Sequence, residues 1–356
     1  MGVQSGAVGS QTNNGRNTPQ NGQSRSLSDD WLAWIAENKL LGIDDNEIVT
    51  VIRRQTGVDE AVASREVELA ECNPYFLTAR RVGEKLRKLE SLLDVHRDVA
   101  SLSYGYGTVE RRSKVSRAEF LERYYAANRP VILTGMLTGS PALVRWKPEY
   151  LRATCGDAMV EIMSGRNKDP RYEINAFSHK TQVRFRDYID EVTSVTKSND
   201  SYLVANNAFF KRPEIKTLYS EVPKFPEYLD EGNEGQIFFW FGPAGTVTPL
   251  HHDVMNVLVA QIYGRKRFIL ISPDQTHYLY NEIGVYSEVD CEQPNYSLYP
   301  LFRKVKAINI VLSRGEVLFL PVGWWHHVRA LDLSMTVSYI SFAYPNSYKW
   351  AEPGAY

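Results

Sequence analysis

In Thr248-Pro249-Leu250-His251-His252-Asp253 a His-x-Asp pair stands inside a β-prone stretch, and a second histidine pair follows far downstream in Trp324-Trp325-His326-His327. The second pair comes directly after the apolar run Val317-Leu318-Phe319-Leu320-Pro321. Side chains alternate across a strand, so residues i and i+2 face one way. His251 and Asp253 can then grip one metal ion while His252 points away, and His326 completes the set from a neighbouring strand. Two histidines and one carboxylate are the donor set that leaves open positions on ferrous iron. By the same alternation His252 and His327 fall on the opposite face, where a structural role is expected. His96, His179 and His277 have no metal-ligand spacing and are expected in ordinary surface or loop positions.

Working outward, Val257 to Pro273 contains two apolar runs split by Gly264-Arg265-Lys266, which reads as a hairpin. Its turn sends Lys266 towards the sheet interior, where an ammonium is costly unless it meets an anion. Further β-rich segments are expected at 130–134, 159–163, 202–205, 236–241, 257–262, 267–271, 307–312, 317–320 and 336–342. Strands without a helix after each one favour a barrel or sandwich over a doubly wound sheet. The aromatic run Phe238-Phe239-Trp240-Phe241 is expected to pack in the core, with one face turned to the site.

Three separated stretches carry a family likeness: Thr248 to Lys266, Gly315 to His327, and Arg129-Pro130-Val131-Ile132-Leu133-Thr134-Gly135. In this order they resemble JmjC-type, cupin-like 2-oxoglutarate oxygenases over about residues 108 to 345. Within these, the likeness is to the branch containing the asparaginyl hydroxylase that inhibits hypoxia-inducible factor. The resemblance implies a mainly β fold, a double-stranded β-helix (jelly roll) with an N-terminal α-helical module. It implies that His251, Asp253 and His326 hold Fe(II), that Lys266 pairs with the distal carboxylate of 2-oxoglutarate, and that Thr248 and Tyr202 reach the same carboxylate. An aspartate ligand, where the histone demethylases typically carry a glutamate, resembles the hydroxylases more. Two positions depart from the family: Val257 stands where an asparagine is common, with Asn256 just before it, and Ser338 replaces a later asparagine.

The expected activity is therefore hydroxylation of a protein or peptide side chain, with release of succinate and CO2. A small-molecule hydroxylase or N-methyl demethylase on the same machinery remains an alternative, as does a non-catalytic β-barrel binding module. Across 356 residues the formal net charge is -1, which argues against broad attraction to nucleic acid or anionic membrane. No apolar run approaches the roughly 20 residues of a bilayer span, and the first residues carry no secretory apolar core. Three widely spaced cysteines, Cys72, Cys155 and Cys291, suit a reducing cytoplasm and form neither a disulfide framework nor a zinc site.

Residues 1 to 28, rich in Gly, Ser, Asn, Gln and Thr, are too polar to offset the entropy of ordering and are expected to be a disordered tail. A helical module is expected over 29–95, with helices at 31–38, from 44 to 57, at 59–72 and at 75–95, and with Trp31, Trp34, Ile35, Ile48 and Ile52 as its apolar face. The basic stretch 80–88 is expected to be a solvated helix face. Residues 96–356 form the expected oxygenase domain, opened by a capping box at Ser116-Arg117-Ala118-Glu119. The chain ends about 30 residues after His326, leaving no C-terminal helical dimerisation domain, so the N-terminal module is expected to pack on the barrel and to help present substrate or form a homodimer.

Overall fold

The computed structural model describes residues 27–205, 208–231 and 235–348. The expected tail thus lies outside the described residues, except for Leu27 and Ser28. The chain divides into two compact units, residues 1–93 and 94–356.

The first unit is helical because its sequence supplies starts, stops and one apolar face. Helix α1 (Asp29–Leu40) ends before Gly42 at φ 77°, and α2 (Asp45–Thr56) is capped by the Asp44 carboxylate and closed by left-handed Gly57. Such left-handed C-caps cost glycine nothing and cost other residues a Cβ clash. Helices α3 (Glu60–Cys72) and α4 (Pro74–Ala100) follow. Ile35, Ile48, Ile52, Ala63 and Val67 are fully buried between the first three helices, with Trp31 and Trp34 packed against them. The expected apolar face is therefore the core of this unit.

The second unit is a pair of facing sheets. One has six strands in the order β1-β2-β10-β7-β12-β5, built from β1 (Glu110–Ser113), β2 (Val131–Thr134), β5 (Ile237–Gly242), β7 (Val257–Tyr263), β10 (Val317–Leu320) and β12 (Ser334–Tyr339). The other has the order β6-β11-β8-β9, built from β6 (Val247–His252), β8 (Lys266–Ile271), β9 (Ile308–Leu312) and β11 (Trp325–Ala330). A small hairpin of β3 (Met159–Met163) and β4 (Lys180–Arg184) stands apart. Alternation sorts the side chains into layers. Val257, Val259, Phe268, Leu270, Leu318 and Leu320 meet between the sheets. Leu258, Ala260, Phe239, Phe241 and Val337 face the other way, onto Phe120, Trp146, Phe185 and Tyr188 of the helices and loops behind the large sheet. The fold is mainly β, a jelly roll preceded by helices.

Two expectations are corrected. Strands β7 and β8 do not form a hairpin: β7 pairs with β10 and β12, β8 with β11 and β9. The connection is a corner that carries the chain from one sheet to the other, turned by Gly264 at φ 66° against the Leu333 carbonyl. Residues 202–205 are not a strand either; Tyr202 and Leu203 make single bridges, to Met163 and to Phe241. Among the described residues no helix is long and apolar enough to cross a membrane. Gly264→Ala combines a left-handed φ with a Cβ driven into backbone, and we expect it to lower unfolding stability by about 2–3 kcal/mol in chemical denaturation; a loss below about 0.5 kcal/mol contradicts this account of the corner.

Candidate metal and cosubstrate site

Strand β6 positions the first donors through a local irregularity. In a regular strand Thr248 and His251, three residues apart, lie on opposite faces. Against β11, His326 pairs with His251 and Val328 with Thr248, so Pro249 and Leu250 together oppose His327 as a bulge. Proline suits this place because a bulge leaves ladder positions unpaired. The extra residue resets the phase, and Thr248 and His251 both line one cavity between the sheets, while Leu250 packs on the outer side with Ile271 and Trp325. Asp253 lies just past the end of β6 and not within it, and its carboxylate still turns to the same place.

One donor atom each from His251, Asp253 and His326 lies within 4.8 Å of the other two. His326 Nε2 and an Asp253 carboxylate oxygen are 3.8 Å apart. Each imidazole is oriented by its second nitrogen: His251 Nδ1 lies 2.8 Å from the Pro249 carbonyl and His326 Nδ1 3.0 Å from the Trp324 carbonyl. A carbonyl only accepts, so Nδ1 carries the proton in both rings, and Nε2 of each presents its lone pair to the cluster. Tyr286 stacks on the His251 ring at 5.7 Å. Burial raises the Asp253 carboxyl and pushes the His326 imidazolium well below its usual value. A cavity that penalises the carboxylate and keeps histidine neutral, with two free nitrogen lone pairs, fits a divalent transition metal.

The cavity, about 90 Å³, is lined on its polar side by Lys266, Tyr202, Thr248, Thr336 and Ser338, and on its apolar side by Val257, Val259, Phe268, Leu320 and Val328. Lys266 is 3 % exposed and donates to the Tyr202 hydroxyl at 2.9 Å. Its ammonium lies 5.8 Å from the centre of the Trp240 ring. Among the described residues it forms no ion pair, and burial alone pulls its pKa down to about 7. A buried cation is costly unless it meets an anion or a strong polar contact, and the Tyr202 hydroxyl is the contact seen here. All six expected site residues, His251, Asp253, His326, Lys266, Thr248 and Tyr202, therefore line one cavity.

Sequence reasoning missed several partners. Arg166, fully buried, donates to Glu173 at 2.9 Å and to the Val247 carbonyl at 2.6 Å, and stands 5.2 Å from the centre of the Tyr202 ring. It locks β6 and Tyr202 together from a loop whose sequence carries no spacing signal. Trp240 was expected only on general grounds; its indole donates to Ser338 at 2.9 Å. Asn256 does not substitute for the family asparagine. It bonds the Val322 amide and Asn346, away from the cavity, while Val257 faces in. His252 packs edge-on against Trp325 and His327 lies 3.9 Å from Glu292, both off the donor cluster. His179 and His277, expected in ordinary loop positions, are each bonded to an aspartate, Asp169 and Asp94.

The cupin-like domain family matches residues 117–342. The chain belongs to that family. Lysine-specific demethylase 8 of Xenopus tropicalis is 34 % identical over 232 residues, covering 63 % of this chain and 50 % of that protein. Lysine-specific demethylase JMJ30 of Arabidopsis thaliana is 32 % identical over 245 residues, 65 % of this chain and 54 % of the relative. The tRNA wybutosine-synthesizing protein 5 of Gallus gallus is 31 % identical over 238 residues, 63 % of this chain and 74 % of its own length. The chain spans about half the length of the demethylase relatives it matches.

Lys266 makes a pH-dependent prediction. In the unfolded chain its amine holds a proton up to about pH 10.5, and in the fold only to about 7. Between these values the unfolded state binds more protons, so this residue's penalty is full below pH 7 and fades as pH rises to 10.5. Lys266→Met should therefore be more stable than the parent at pH 6, by on the order of 4 kcal/mol, with the difference closing towards pH 10. Chemical denaturation of both proteins across that range, free of metal and cosubstrate, checks it; a difference that does not change with pH contradicts the buried charge.

Proposed function

We propose that this protein is an Fe(II)- and 2-oxoglutarate-dependent oxygenase that hydroxylates a side chain of a protein or peptide. The observation that carries the reading is the joint presence, in one cavity, of the His251, Asp253 and His326 donors and a buried lysine with no protein anion. We assign residues 29–95 as a helical module and 96–356 as the oxygenase domain. A cytoplasmic setting agrees with the three unpaired cysteines. The branch that hydroxylates asparagine is favoured over demethylation by the aspartate at position 253.

In this reading His251 Nε2, His326 Nε2 and the Asp253 carboxylate hold the iron. Lys266 holds the far carboxylate of 2-oxoglutarate as a charge-assisted contact, with the Tyr202 and Thr248 hydroxyls beside it. Together with 2-oxoglutarate and dioxygen, the bound iron supplies a two-electron oxidation that yields succinate, CO2 and one oxygen atom for the substrate. The protein's part is positioning and exclusion. Val257, Val259, Phe268, Leu320 and Val328 keep the cavity poor in water, which strengthens the Lys266 contact. Val257, where the family often has asparagine, leaves fewer polar contacts for the cosubstrate and puts more of its orientation on Lys266. Tyr286 fixes the His251 ring, and the Arg166–Glu173 pair fixes Tyr202 and β6.

A second reading, oxidation of a tRNA nucleoside, is favoured by one observation: the chain covers 74 % of the wybutosine-synthesizing relative and only half of the demethylases. The net charge of -1 weighs against it. Incubation with Fe(II) and 2-oxoglutarate, followed by mass spectrometry of peptides and of tRNA nucleosides, separates the two. An added oxygen on peptides supports the first reading; on nucleosides alone, the second; loss of a methylene would mean demethylation.

Two sets of variants test the machinery. His251→Ala, Asp253→Ala and His326→Ala should each abolish iron-dependent succinate release while the circular dichroism stays that of the parent, and parent-level turnover in any of them overturns the ligand set. Lys266→Ala should raise the KM for 2-oxoglutarate by roughly tenfold to a hundredfold while iron affinity holds. An unchanged KM would assign the carboxylate to another residue.

A further inference from the structure

Helix α4 is anomalous in the first unit. Its 27 residues bury only one side chain, Phe76. Past that anchor it keeps Val82, Leu86, Leu89 and Leu92 in water, at 61 %, 55 %, 59 % and 55 % exposure. Most helical stability in proteins comes from packing of an apolar face, and from Leu77 to Leu93 no side chain of this helix is fully buried. The apolar positions also have a definite period. Ala79, Val82, Leu86, Leu89 and Leu93 are spaced by three and four residues in alternation, a 3.5-residue repeat that forms a straight seam only when a second helix winds around it.

The charges flanking the seam say which partner fits. In heptad terms Ala79, Leu86 and Leu93 occupy the a positions and Val82 and Leu89 the d positions. Lys85 then falls at g and Glu90 at the following e, the two places whose side chains meet across a parallel pair. Lys85 of one helix faces Glu90 of an identical helix, and two-fold symmetry repeats the pair on the other side. The remaining basic residues, Arg80, Arg81, Arg87 and Lys88, lie off these two positions. The seam is thus complementary to a copy of itself.

We propose that Ala79 to Leu93 of α4 form a parallel, in-register two-stranded coiled coil with a second copy of this chain. The pairing is isologous, with Leu86 on Leu86 and Leu89 on Leu89. It brings the basic flanks of both copies side by side, which explains why so charged a stretch keeps an uninterrupted apolar line.

Analytical ultracentrifugation of the full chain tests it. The parent should sediment as a dimer, and Leu86→Glu with Leu89→Glu, both at exposed positions, should raise the dimer Kd by on the order of a hundredfold or more while the monomer stays folded, any lost helix content being no more than that of the unpaired α4 seam. Lys85→Glu and Glu90→Lys should each weaken the dimer, and the double exchange should restore it, which a general loss of apolar surface cannot do. Leu89→Cys in a Cys72→Ser background should cross-link between copies under mild oxidation. A parent that is monomeric overturns the proposal, whether or not removal of residues 1–26 then uncovers a dimer. So does a larger oligomer, a dimer that survives Leu86→Glu with Leu89→Glu, or a dimer in which Leu89→Cys stays unlinked.

Discussion

A lysine ammonium without an anion, held between two sheets, is the constraint on which the rest of the site depends. Burying a cation is costly, and the cost is tolerated only where a ligand or a strong polar contact takes up the charge. Among the described residues Lys266 donates to one hydroxyl, that of Tyr202. The hydroxyl is itself held by a buried group of residues, because Arg166 lies near the Tyr202 ring and is fastened to Glu173 and to the β6 backbone. Lys266 is therefore buried and, among the described residues, paired with no anion. At the other end of the same cavity a carboxylate and two imidazoles converge, a donor set suited to a divalent transition metal.

Lys266 and the three donors share a cavity because of how the jelly roll is threaded. Lys266 begins β8, the two histidines sit side by side on β6 and β11, and these strands are neighbours in the four-stranded sheet. Residues far apart in sequence become adjacent through the antiparallel order β6-β11-β8. The large sheet closes the other side with Val257, Val259, Trp240, Thr336 and Ser338. Neither sheet contains the site alone.

Much of this was legible in the chain, and the places where it was not have physical causes. His251, His326 and Lys266 were legible because alternation along a strand is a strong constraint and because a lysine aimed into an apolar run demands an explanation. The Gly264-Arg265 connection was misread as a hairpin turn: a glycine followed by two basic residues suits either a two-strand turn or a corner between sheets, and only the partners of β7 and β8 distinguish them. The same limit applies to residues 202–205. A Tyr-Leu-Val-Ala run is β-prone, but its backbone meets a partner at only two residues, Tyr202 and Leu203, and local propensity does not reveal how far a pairing extends.

Thr248 shows how a residue can be expected in a site without the geometry that puts it in the cavity. Strict alternation from His251 puts Thr248 on the outer face, and only the bulge at Pro249 and Leu250 brings it inside. A proline in a strand signals an edge or a bulge, so the information was present at position 249. It could be used only once the register against β11 fixed which residue was extra. The same bulge carries a second consequence. By sending Pro249 outward it places that carbonyl where His251 Nδ1 can donate to it, at 2.8 Å, so the irregularity that aligns Thr248 also selects the tautomer of the first histidine. One inserted residue in β6 therefore sets both the face on which the Thr248 hydroxyl lies and the tautomer of His251, and a regular strand would supply neither.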